Sequence, residues 1–169
     1  MKKILLVDLD NTLADTNGQL KKMGIDTGSY PAPVPEEVWN DGRIFLNAEP
    51  ILPVVSFVLA MYGFRNDIIY LTARPEHTRW ATEIWLYKHG LPDAPILHTE
   101  GKPKGEVVRG LTGVWGAIED SPHEITSLRS VKRNLEIFIP DWPYNRNVKG
   151  NRLKTGGAIH GLYPSKTGS

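Results

Sequence analysis

The chain opens on a short unbroken apolar run, Ile4 to Val7, the pattern of a strand covered on both faces. Regular alternation resumes only after residue 53. Pro53 to Tyr62 reads as a helix, Asp67 to Leu71 as a strand, and Glu76 to His89 as a second helix ended by Gly90. Within that helix Trp80, Ile84 and Tyr87, with Ala81 and Trp85 beside them, recur at helical spacing, so this stripe is expected to pack on a sheet. Pro95 to His98 makes a weak strand, Lys104 to Leu111 a helix and Val114 to Ile118 a strand. Ser121-Pro122 caps and starts a helix reaching about Arg129, and Leu135 to Ile139 forms the last strand. Strands alternating with helices at this spacing predict an α/β fold, with a parallel sheet in a three-layer arrangement.

Two stretches break the alternation. From Asp15 to Pro53 the chain carries five prolines (Pro31, Pro33, Pro35, Pro50, Pro53) and scattered aromatics. Here only Pro35 to Trp39, with proline and acids suited to a first turn, predicts a short helix. From Val148 to Ser169 there is no acidic residue, while Lys149, Arg152, Lys154 and Lys166 alternate with five glycines. The expected organisation is a core of residues 1–14 and 54–147, a small cap insertion at 15–53, and a basic, Gly-rich tail at 148–169. That tail is read as flexible, with a phosphate-binding flap as the alternative.

Composition narrows the classes without selecting one. At 169 residues the chain holds one domain plus a small insertion. Twenty Lys and Arg against nineteen Asp and Glu leave a net charge of +1, so no global field attracts nucleic acid or a membrane. The absence of cysteine excludes disulfides, thiolate metal sites and cysteine nucleophiles. The apolar runs are too short to span a bilayer, and Met1-Lys2-Lys3 leads into too few apolar residues for a signal peptide. A cytoplasmic protein is expected.

The chemistry gathers at strand ends. Asp8-Leu9-Asp10-Asn11-Thr12 follows the first strand, where α/β sheets build their sites. Turn formation explains Asn11 and Thr12 but not two adjacent buried carboxylates, which are costly unless a cation joins them. Magnesium suits such an oxygen-only pair. Thr72-Ala73-Arg74 ends the next strand, where a hydroxyl and free N–H groups would receive a phosphate, although Thr is also a common helix cap. Lys102 and Lys104 offer a cation, and Glu119-Asp120 follows a further apolar strand. All four sites fall on the same side of one predicted sheet.

The order acid pair, hydroxyl, lysine, acid pair, with the DLDNT signature after a strand, resembles the haloacid dehalogenase (HAD) superfamily of phosphotransferases. The resemblance covers about Lys3 to Leu128 and implies a HAD-like Rossmannoid sheet, with the insertion after strand one in the place of a cap. It implies Asp8 as the nucleophile that takes the phosphoryl group, and Asp10 as general acid and base. It further implies Thr72 and Ala73 as phosphate-binding residues, and Mg2+ held by Asp8, Asp10 (through its carbonyl) and Asp120. Glu119 stands where many members carry Asp. Lys104, which opens a helix, fits the family's lysine better than Lys102.

Two further segments, Arg43 to Asn47 with Glu49-Pro50 and Asp141 to Asn147, resemble the 5'(3')-deoxyribonucleotidases and their relatives. That resemblance implies a nucleoside monophosphate substrate. Phe45 and Trp39 would then stack on the base, with structural burial of Phe45 as the equal alternative. Arg74, a further candidate substrate contact, departs from the Ser-Pro of well-known members. Asn145 and Arg146 are read as loop anchors. The alternatives are a polynucleotide 3'-phosphatase of nucleic-acid repair, which the basic tail favours, and a catalytically silent HAD domain acting as a binding module. A small phosphate ester as partner, no membrane contact and a homodimer complete the expectations.

Overall fold

The computed structural model describes residues 3–155. Its centre is β1 (Ile4–Val7), which pairs in parallel with β4 (Asp67–Thr72) on one side and β6 (Val114–Ile118) on the other. β5 (Ile96–His98) extends the sheet beyond β4, while β7 (Glu136–Pro140) and β8 (Asn151–Leu153) extend it beyond β6. The resulting six-stranded order is β5-β4-β1-β6-β7-β8, with every pairing parallel. Strand order reverses at β1, so a crevice opens at its C-terminal end between the loops after β4 and β6.

Successive residues of β1 point to opposite faces, and both faces are buried. Leu5 and Val7 join Val54, Val55 and Val58 of α4 (Leu52–Gly63) and Trp85 and Leu86 of α5 (Arg79–Lys88). Leu6 joins Val108 of α6 (Lys104–Val108) and Ile125 and Leu128 of α7 (Pro122–Val131) on the other face. The three-layer α/β fold expected from the alternation is therefore present. α7 starts as predicted, with Pro122 in its first turn and the Ser121 side chain accepting the Glu124 N–H. α6 and α7 cross closely at Gly105, where an added Cβ would lie 2.2 Å from the Ser127 carbonyl oxygen. No helix among the described residues is long and apolar enough to cross a membrane.

The insertion is a folded unit on a two-stranded stem. β2 (Ala14–Asp15) and β3 (Glu49–Pro50) pair antiparallel and bring its two ends together. Between them run α1 (Thr16–Lys22), α2 (Glu36–Asp41) and α3 (Arg43–Asn47). α2 matches the helix predicted from Pro35; α1 and α3 were not legible. α1 contains Asn17 and Gly18 and one buried apolar residue, so it lacks periodicity, and its start depends on Asp15 accepting the Gly18 N–H at 2.8 Å. Leu20, Ile44 and Phe45 of the insertion pack with Ala81 of α5.

Three expectations need correction. Of the predicted stripe, Ala81 and Trp85 are buried as expected, together with Thr82 and Leu86, but Trp80, Ile84 and Tyr87 are 45%, 49% and 88% exposed. Two apolar stripes lie side by side on this helix, and hydrophobicity alone does not choose between them. Glu76 to Thr78 forms a 3-10 turn before α5, and α6 stops at Val108, short of Leu111. Finally, the tail is not featureless: Asn151–Leu153 is β8, an edge strand hidden in the sequence by its polar residues. Lys166 and the glycines from Gly156 onward lie outside the described residues.

Trp85 ties this architecture together, fully enclosed and donating its Nε1–H to the Ala48 carbonyl at 2.7 Å. Trp85→Ala should cost about 3–5 kcal/mol of stability, read as a fall in the urea midpoint. A change under about 1 kcal/mol, the level of a tolerated surface substitution, would show that the stem is not anchored there.

Candidate active site

Asp8 leaves the C-terminal end of β1 into a nearly closed environment, 6% exposed. The Lys104 ammonium, at the start of α6, reaches back to Asp8 Oδ1 and also donates to Glu119 Oε2 at 2.6 Å. Lys104 is 2% exposed, whereas Lys102 is exposed at the surface, so the structure selects the former. Glu119 has its other oxygen on the Ser121 N–H at 2.9 Å, so both of its oxygens are engaged. Asp8 Oδ2 has no hydrogen-bond partner.

Asp120 lies next to this pair, and oxygens of Asp8, Glu119 and Asp120 all approach within 4.8 Å of one another. Its Oδ2 accepts the Tyr144 hydroxyl, and its Oδ1 accepts a long bond from Thr12 Oγ1 at 3.4 Å. Asn145, fully buried, donates to the carbonyls of Asp120 and Pro140, both at 2.9 Å. It is the loop anchor that the sequence suggested, while Arg146 takes part only through its carbonyl.

Asp10 is held from the other side. Arg74 grips it with Nε at 3.0 Å from Oδ2 and Nη2 at 2.9 Å from Oδ1, and Thr16 of α1 donates to Oδ1 at 2.6 Å. Arg74 is fully enclosed: its Nη1 donates to Thr82 at 2.9 Å, and its guanidinium carbon lies 4.2 Å from the centre of the Phe45 ring. Phe45 and Arg74 are therefore both enclosed beneath the site, outside the residues that line it, and Arg74 supports Asp10. Burial of Phe45, the alternative left open by the sequence, is the observed arrangement. Thr72 is also fully enclosed, and its Oγ1 accepts the Arg74 N–H at 3.1 Å, so it shapes the turn that exposes Ala73.

Asp8, Asp10, Ala73, Lys104, Glu119 and Asp120 form the floor of a cavity of about 520 Å³. Its opposite wall comes from the insertion and includes Leu20, Tyr30, Val34 and Trp39. Trp39 meets Phe45 edge-on at 5.0 Å, and the Tyr30 ring stacks on Tyr144 at 3.9 Å with 8° between planes. Sequence reasoning missed Tyr30, Tyr144 and Thr16. Tyr144 lies in the segment already singled out, but nothing local marks its hydroxyl as a partner of Asp120. Tyr30 sits in a proline-rich stretch with no periodicity.

The electrostatics explain what the floor requires. Burial, then the Glu119 charge, push Asp8 up to about 7 despite Lys104. Burial, then Asp8 and Glu119, hold Asp120 well above the usual carboxylate range. Burial alone would lower Lys104, but Asp8 and Glu119 outweigh it and hold the ammonium well above its ordinary value. Three carboxylates against one ammonium leave a negative excess among buried groups. The donors are all oxygen, and Asp8 Oδ2 is unpartnered, so the site suits a hard divalent cation.

No protein-family model matches the chain. A protein of Oceanobacillus iheyensis named "Putative nucleotidase OB0422" is 29% identical over 120 residues, covering 68% of this chain. The match takes in 62% of that relative's length. A chain of the Pnkp1/Rnl/Hen1 complex superposes over 84% of this chain and 47% of its own, with a TM-score of 0.62 at 18% identity. A haloacid dehalogenase-like family protein of Streptococcus pneumoniae superposes over 83% of this chain and 85% of its own, with a TM-score of 0.57 at 13% identity. The chain thus has the haloacid dehalogenase-like hydrolase fold. Within that class its sequence is similar to a protein named as a nucleotidase.

Because Asp8 is raised from an ordinary value of 3.8 to about 7, the stability it lends is complete below the lower value and lost as pH rises through the upper one. Metal-free wild type should therefore lose stability relative to Asp8→Asn between about pH 4 and 8, measured by urea unfolding. A difference that stays constant over this interval would show that Asp8 does not titrate there.

Proposed function

We propose that the chain is a magnesium-dependent phosphomonoester hydrolase acting on nucleoside monophosphates through a phosphorylated Asp8. One observation carries the reading: a lysine-bound Asp8 with an unpartnered oxygen stands beside an Asp10 fixed by Arg74, on the floor of one cavity. Asp8 attacks phosphorus, forming an Oδ–P bond as the bond to the leaving oxygen breaks, and Asp10 gives that oxygen its proton. Asp10 then takes a proton from water, whose oxygen attacks the acyl phosphate, releasing phosphate and restoring the Asp8 carboxylate. Lys104 orients Asp8, and the turn at Thr72 and Ala73 receives phosphoryl oxygens. Mg2+, held by Asp8, Asp120 and the Asp10 carbonyl, would supply charge neutralisation at the phosphoryl oxygens.

Two features support a nucleotide. The nucleotidase-named relative shares over a quarter of its aligned residues, and the wall opposite the carboxylates offers Trp39 and Tyr30 to a flat ring. A polynucleotide 3'-phosphatase is the second reading, favoured by the likeness to the Pnkp1/Rnl/Hen1 chain. Against it, Lys104 is the one cation among the described residues lining the cavity, whereas Glu36 and Glu124 add negative charge. A phosphodiester backbone needs basic contacts that the described residues of this wall do not provide.

Phosphate release with Mg2+ from 5'- and 3'-mononucleotides, a 3'-phosphorylated oligonucleotide and sugar phosphates tests the reading. Mononucleotides should be the best substrates, and Asp8→Asn should lower turnover by roughly 10⁴-fold or more. Preference for the oligonucleotide would establish the repair activity instead. Release from none of them, with Mg2+ bound, would identify a binding module.

A further inference from the structure

Behind Asp120 lies a chain of contacts for which hydrolysis itself has no use. Arg152 of β8 donates to Asn145 Oδ1 and to the Asn145 carbonyl, both at 2.8 Å, and to the carbonyls of Arg146 at 3.0 Å and Val148 at 2.5 Å. β8 is itself tied in by the Asp141 N–H on the Leu153 carbonyl at 2.8 Å. This clamp closes the loop after β7 into a rigid hook. Its inner end is Asn145 on the Asp120 carbonyl and the Tyr144 hydroxyl on Asp120 Oδ2. Trp142 fixes the same hook to the loop after β1, donating Nε1–H to the Asn11 carbonyl at 2.6 Å.

We propose that Tyr144 is a positioning residue that sets the cation affinity of the site by fixing the Asp120 carboxylate, with Arg152 of β8 holding Tyr144 in place. The inference rests on the reading of Asp120 as a cation ligand. A carboxylate with one oxygen held by a phenol has lost its rotamer freedom before the cation arrives, and only the other oxygen remains loosely bonded. Residues that hold a ligand in this way are worth roughly 10–100-fold in metal affinity. The ring of Tyr144 also carries Tyr30 of the cavity wall at 3.9 Å, so Tyr144→Phe removes the hydroxyl while leaving a ring to stack on.

The test is Mg2+ titration by calorimetry on the full chain, with turnover measured at rising Mg2+. Tyr144→Phe should bind Mg2+ roughly 10–100-fold more weakly, with turnover restored toward wild type at saturating Mg2+. Arg152→Gln should weaken binding in the same direction. Wild-type affinity in Tyr144→Phe overturns the inference while leaving the proposed function standing. Weak turnover that saturating Mg2+ does not restore also overturns it, since the hydroxyl would then act in something other than cation binding. Wild type that binds no Mg2+ overturns the cation reading itself, and the inference with it.

Discussion

The contact on which the site depends is the buried ammonium of Lys104 between Asp8 and Glu119. A lysine this deep is tolerable only because two carboxylates satisfy it, and those carboxylates are tolerable only because the lysine is there. The geometry fixes three separate elements. Asp8 comes from the end of β1, Glu119 from the end of β6, and Lys104 from the start of α6, whose first N–H is held by Glu124 of α7 at 2.8 Å. Gly105 follows at once because α6 must come close enough to α7 for the ammonium to reach the sheet. One ammonium nevertheless cannot balance Asp8, Glu119 and Asp120. The residual negative charge is the physical reason to expect a cation.

Around that centre the carboxylates of Asp8 and Asp10 are handled differently. Asp8 faces a lysine and keeps one oxygen open. Asp10 is fastened through Arg74 and Thr16, and through Arg74 to Phe45 and Thr82. The insertion therefore does two things. Its outer residues, Tyr30 and Trp39, face the cavity, while its inner ones, Phe45 and Thr16, hold Asp10. A wall built from the same segment that braces Asp10 can vary in its outer face without disturbing the carboxylates beneath. This matches the general separation of a fold's chemistry from its specificity.

The local pattern carried much of this. The alternation after residue 53 was strong enough to place α4 to α7 and β4 to β7 within a few residues, because each buries a continuous or periodic apolar face. The carboxylates and the lysine were legible because strand ends on one side of a parallel sheet converge. What failed to show was what depends on distant partners. β8 has polar residues and is a strand only because β7 leaves an open edge beside it. Tyr144 is an ordinary loop tyrosine until the hook brings it to Asp120.

The amino-acid sequence by itself determined the alternation that builds the sheet, the side of it on which acidic, hydroxyl and basic residues gather, and the carboxylates Asp8, Asp10 and Asp120, since these follow from periodicity and from charge beside apolar strands. Only the tertiary structure decided which face of α5 is inside, that Lys104 and not Lys102 reaches the carboxylates, and that Arg74, packed on Phe45, braces Asp10. Those outcomes turn on which groups compete for one enclosed space, and no local pattern records that competition.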